Sequence, residues 1–122
     1  MVASFVDPPA AIFKAVAPCV STSVPTAQAA IGVITAQGPA PGITATHQAY
    51  QVPPSLGVEI VNEDFVNDVH NQGLAVHVFT INDCDEMVRL LNLNVDGIMT
   101  DRPTLLQALL DQPEGSWSCA GL

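Results

Sequence analysis

The sequence predicts an α/β fold of about four β–α units with parallel strands. Three observations carry this. β-prone runs alternate with short amphipathic stretches along the chain, capping residues and prolines stand where those stretches begin, and 122 residues is a one-domain length. Two closures satisfy that order: an open doubly wound sheet, or about half of an eight-stranded β/α barrel, which takes about 250 residues when complete. No Gly-x-Gly-x-x-Gly or Walker-type loop occurs, which weighs against a nucleotide-binding sheet.

Val2–Val6 is a short β-prone run. Asp7-Pro8-Pro9 then supplies a cap and a first-turn proline for a helix to Ala17, with Ile12, Phe13 and Val16 as its apolar stripe. Pro18 stops that helix. Cys19–Val24 reads as a strand, and Pro25-Thr26 opens a helix running to about Gln37. Gly38–Gly42 is a loop by composition, and the β-prone run Ile43–Val52 halts at Pro53-Pro54. Asn62 caps the next helix. Glu63 and Asp64 meet its positive dipole end, Phe65, Val66 and Val69 form its apolar face, and Gly73 stops it. Leu74–Ile81 is the strongest strand. Asp83 and Glu86 make a variant capping box ahead of Met87, Val88, Leu90 and Leu91. Val95–Met99 is a compact strand, Thr100-Asp101-Arg102-Pro103 a strand-to-helix turn, and Thr104–Asp111 the last helix. Pro113, Gly115 and Ser116 mark residues 112–122 as a flexible tail, leaving 1–111 as the domain.

Composition narrows the function classes. Apolar residues at 48% with charged residues at 12% exclude intrinsic disorder. Three Lys+Arg against 12 Asp+Glu, a net charge of −9, cannot neutralise a run of phosphates, so no nucleic-acid partner is expected. Ala15–Val58 carries no Asp, Glu, Lys or Arg, yet Pro18, Pro25, Pro39, Pro41, Pro53 and Pro54 interrupt it, so no membrane span is expected. The chain opens with no basic-then-apolar leader. Cys19, Cys84 and Cys119 lack metal-ligand spacing and read as free buried thiols. The expected compartment is cytoplasmic.

Gly73–Asn82 (GLAVHVFTIN) followed by Val95–Pro103 (VDGIMTDRP) resembles the end of the glycerophosphodiester phosphodiesterase family. That family carries a Gly-Leu-x-Val-x-Val-Trp-Thr-Val-Asn strand and then Val-Asp-Gly-Ile-x-Thr-Asp-x-Pro. Ala3-Ser4-Phe5 and Pro18–Ser23 resemble its fifth and sixth barrel strands, and Tyr50-Gln51-Val52-Pro53 resembles a segment before its sixth helix. The resemblance implies the C-terminal half of a (β/α)8 TIM barrel of the phospholipase C-like phosphodiesterase type. It also implies a hydrolase of lipid and glycerophosphodiester metabolism, releasing glycerol 3-phosphate and an alcohol with the help of Ca²⁺ or Mg²⁺. The family's His-Arg-Gly motif, second His and metal-holding carboxylates lie mainly in its first half, and none of those motifs is found here. No catalytic residue and no metal ligand is therefore assigned to this chain, and no turnover is expected from it alone.

Phosphodiester hydrolysis needs charge neutralisation on the phosphoryl oxygens and proton transfer to the leaving alkoxide. His47, His70 and His77 lack convergent partners in the sequence and read as structural. Phe79 stands where the family has Trp, and reads as core or as pocket wall. The resemblance assigns Phe79 to the substrate pocket, and Asn82 is assigned there with it because both lie at the C-terminal end of the strongest strand. Thr100 and Asp101 are assigned to the site rim, at the strand end where barrels gather chemistry, although Asp101 also reads as a helix cap. Two open sheet edges, near Val2–Val6 and Val95–Met99, predict self-association. The alternative to an enzyme is a non-catalytic half-barrel remnant or assembly module. Trp117 has no element to pack against in this reading.

Overall fold

A computed structural model describes residues 1, 3–4, 7–24 and 47–122. Within them the order is α1 (Asp7–Val16), β1 (Ser23–Val24), β2 (Ala49–Val52), α2 (Glu63–Asn71), β3 (Ala75–Val78), α3 (Cys84–Asn92), β4 (Gly97–Ile98) and α4 (Pro103–Leu110). The strands form one parallel sheet in the order β1-β2-β3-β4. They fall within four of the five β-prone runs. The first run, Val2–Val6, and the expected helix Thr26–Gln37 lie wholly or mostly outside the described residues.

Register divides the sheet into two unlike faces. Val24, Tyr50 and Val76 stand side by side, with Val52, Val78 and Ile98 in the next row. This apolar face packs against Val66 and Val69 of α2, Met87 and Leu90 of α3 and Leu109 of α4, all fully or almost fully buried. Phe65 adds an edge-to-face contact with Tyr50 at 5.8 Å between ring centroids. The opposite face carries Ser23, Ala49 and Ala75 in one row and Gln51, His77 and Gly97 in the next. Small and polar residues fill it, and among the described residues the clustered apolar core lies on the helix side.

Local signals set the helix starts of α2 and α3. The Asn62 carboxamide accepts from the Phe65 amide at 3.0 Å, and Asp83 accepts from the Glu86 amide at 2.9 Å. The Asp83 box is one-sided, because the Glu86 carboxylate pairs with Arg89 instead. Arg89 also reaches Glu59 and the Val61 carbonyl, pinning the segment before α2 onto α3. Gly73, at φ +73°, stops α2 in the left-handed conformation that glycine adopts without a Cβ penalty.

Several expectations need correction. The α1 stripe is displaced: Ile12 and Val16 are exposed, whereas Ala10 is buried and Phe13, Lys14 and Ala17 are half-buried, a stripe at i, i+3, i+4 and i+7. The strands are shorter than their β-prone runs. The cysteines are not free buried thiols: Cys84 and Cys119 form a disulfide with Cα atoms 6.0 Å apart, and Cys19 is exposed. Residues 112–122 form no helix or strand, but the disulfide ties Cys119 to the first residue of α3 and Trp117 packs half-buried against the core. A crosslink spanning 35 residues is worth about 3–4 kcal/mol in the chain-entropy account.

Candidate functional site

Because the strands are parallel, their C-terminal ends share one end of the sheet. A cavity of about 300 Å³ lies there, lined by Ala3, Ser4, Ser23, Val24, Gln51, Phe79, Thr80 and Met99. Val24, Phe79 and Met99 supply apolar wall; Ser23, Gln51 and Thr80 supply hydrogen-bonding groups. Phe79 follows β3 directly, and its amide donates to the Val52 carbonyl at 3.1 Å, holding the ring at the mouth of the sheet. Strict two-residue alternation would put Ile81 on the same face as His77 and Phe79, yet it is buried in the core. The strand ends at Val78, so two-residue alternation no longer governs the residues after it.

Asn82, Thr100 and Asp101 converge beside that end. The Asn82 carboxamide oxygen accepts from the Asp101 amide at 2.9 Å and from the Thr100 hydroxyl at 3.1 Å. Its nitrogen donates to the Asp101 carboxylate at 2.9 Å, and the Arg102 guanidinium donates to the Asn82 carbonyl at 3.2 Å. This knot joins the β3–α3 loop to the β4–α4 loop. Asp101 is therefore no helix cap: Arg102 occupies the cap position of α4 with no side-chain capping bond, and Pro103 opens the helix. Phe79 lines the cavity, whereas Asn82, Thr100 and Asp101 are not among its lining residues.

The histidines have other surroundings. The His47 ring is buried 3.0 Å from the Thr22 hydroxyl, ahead of β2. His70 Nε2 lies 2.8 Å from Asp96 Oδ2, which also accepts from the Val76 amide at 2.8 Å. Both pairs sit at the N-terminal end of the strands, where barrel contacts serve stability. Burial alone would raise the Asp96 pKa, but the Val76 amide and the His70 and His77 rings outweigh it and hold the carboxyl below its ordinary value. His77 is half-buried on the inner face, 3.4 Å from the Gln51 carboxamide nitrogen. Sequence reasoning missed Ser23, Gln51 and Met99 as cavity residues. The one available signal was alternation, and it names a face only once register is known.

A divalent cation would need several converging oxygen or nitrogen ligands. Among the described residues no three His, Cys, Asp or Glu side chains converge, and the Asp101 carboxylate, in the β4–α4 loop, accepts from Asn82. The described residues do not fit such an ion. No helix among the described residues is long and apolar enough to cross a membrane.

The model of the glycerophosphoryl diester phosphodiesterase family matches residues 12–105. The Mycobacterium tuberculosis protein named "Probable glycerophosphodiester phosphodiesterase 2" is 39% identical over 71 residues, covering 57% of this chain and 26% of that protein. The Arabidopsis thaliana protein "Glycerophosphodiester phosphodiesterase GDPD4" is 33% identical over 52 residues, covering 43% of this chain and 16% of that protein. A solved structure, "Putative glycerophosphoryl diester phosphodiesterase from Silicibacter pomeroyi DSS-3", superposes with a TM-score of 0.64 at 22% identity, over 87% of this chain and 36% of that one. At that identity it speaks for the fold. The chain thus spans about a quarter and about a sixth of the two curated relatives and about a third of the solved structure.

Proposed function

Since this chain belongs to the glycerophosphoryl diester phosphodiesterase family, we propose that residues 1–111 supply the C-terminal half of a phosphoric diester hydrolase barrel, with 112–122 as its tail. The single observation that carries the reading is the cavity at the C-terminal strand ends, with Phe79 in its wall. In this reading a glycerophosphodiester lies against Phe79 and within reach of Asn82, with Thr100 and Asp101 at the rim. The proton-transferring histidines and the cation-holding carboxylates come from the other half of the barrel, which also covers the small-residue face of this sheet. Hydrolysis releases glycerol 3-phosphate and an alcohol in the cytoplasm. Without that half, the open sheet edges pair with a second copy.

Co-expression with the N-terminal half-barrel of a family member tests the reading. The expected result is a complex that releases glycerol 3-phosphate from glycerophosphocholine in the presence of Ca²⁺ or Mg²⁺, with Phe79→Ala weakening substrate affinity. A well-folded complex without turnover overturns the assignment, and unchanged kinetics in the Phe79 variant removes that residue from the pocket. The 122-residue chain alone is expected to be inactive in the same assay.

A further inference from the structure

Residues 112–122 carry a fastening that the hydrolase reading does not use. The Gln112 carboxamide donates to the Ser118 carbonyl at 2.9 Å and accepts from the Ser118 amide at 2.7 Å, closing a loop directly after α4. Trp117 turns inward from that loop and is half-buried, while Pro113–Ser116 are exposed. Cys119 follows and is bonded to Cys84 at the start of α3. Cys84 stands two residues after Asn82, so the covalent tie is anchored beside the knot at the cavity end.

We propose that residues 113–122 are a redox-released strap, held closed by the Cys84–Cys119 disulfide and opened by a dithiol reductant. One half-buried indole, the two bonds to Gln112 and three bonds within the segment do not offset the ordering of roughly ten residues, so the crosslink is what keeps the segment down. In the opening step a reductant thiolate attacks the Cys119 sulfur, the Cys84–Cys119 bond breaks, and the Cys84 sulfur leaves as a thiolate that takes up a proton. Its position at the N-terminus of α3 favours that leaving group, although Asp83, Asp85 and Glu86 lie close by. The second reductant thiol then attacks the mixed disulfide, freeing Cys119 as a thiol and oxidising the reductant to its own disulfide. Two electrons and two protons pass to the protein. The strap is open where thiols are kept reduced and closed in an oxidising compartment.

The test uses the full chain with Cys19→Ser, which removes the exposed thiol from exchange. Alkylation and mass measurement before and after a dithiol reductant count the free cysteines. Trp117, the single tryptophan, reports on the strap by fluorescence, and a glutamate-specific protease probes the bond after Glu114. The expected results are no free thiol before reduction and two after. Trp117 emission should shift to the red, cleavage after Glu114 should run about tenfold faster, and the far-ultraviolet helical signal should be retained. Adding Cys84→Ser and Cys119→Ser should reproduce the reduced behaviour without reductant. Free thiols before reduction, unchanged emission and cleavage after it, or loss of the helical signal on reduction would each overturn the proposal.

Discussion

The His77 ring occupies the space that a side chain at position 97 would need. A Cβ built on Gly97 would lie 2.9 Å from His77 Cδ2, and the two residues are register partners in β3 and β4. Gly97→Ala is therefore expected to cost about 1–3 kcal/mol, read from urea denaturation, because the ring must move within a packed row. His77→Ala added to it should recover part of that loss; strict additivity of the two changes would mean that the contact is not the cause. Asp96 carries a different kind of prediction. Its pKa is lowered on folding, so its contribution is complete above the unfolded carboxylate pKa and disappears as pH falls through the folded value. The carboxylate is 43% exposed, so solvent screening limits that contribution to less than about 1 kcal/mol. Denaturation between pH ~6 and ~3 should show Asp96→Asn with a flatter acid limb than the parent. The Asp96 role was not legible beforehand, because Asp96 meets Val76 of β3 and His70 of α2 only once strand and helix have packed together.

Helix starts and strand lengths differed in how well the sequence revealed them. Asn62 and Asp83 were readable as caps because each bonds an amide three residues on, a contact that short chain stretches contain in full. Asn62→Ala and Asp83→Ala should each lower stability by about 1 kcal/mol in thermal or urea melts. Asp101→Ala should instead loosen the two βα loops while leaving α4 helical, visible as faster local amide exchange near Asn82 and Asp101. A loss confined to α4 would restore the capping role. Strand lengths were less legible: among the described residues, only Ser23 and Val24 of the run Cys19–Val24 form the strand, since a strand lasts only as far as its neighbour accompanies it. The displaced stripe of α1 and the pairing of Cys84 with Cys119 were hidden for a related reason. Both depend on which surfaces the finished fold brings together, which local pattern does not encode.

At the scale of the whole molecule, the sheet ends at β1 on one side and β4 on the other among the described strands. Open edges of this kind invite pairing, and the −9 net charge opposes it only over a screened range of roughly 8 Å at physiological ionic strength. Sedimentation over a wide concentration range should therefore show association rising with concentration, whereas a monomer throughout would mean that both edges are covered. Family and half-barrel architecture were legible because the two motif-bearing segments, Gly73–Asn82 and Val95–Pro103, are contiguous in the chain. The cavity was not, since its wall draws on residues from Ala3 to Met99. Strand order also coincides with the order of synthesis. Among the described strands, each one leaving a ribosome finds its neighbour already in place, and none has to be threaded between two that are paired. Growth from one side suits assembly during translation, with β4 and α4 added last to a layer already paired.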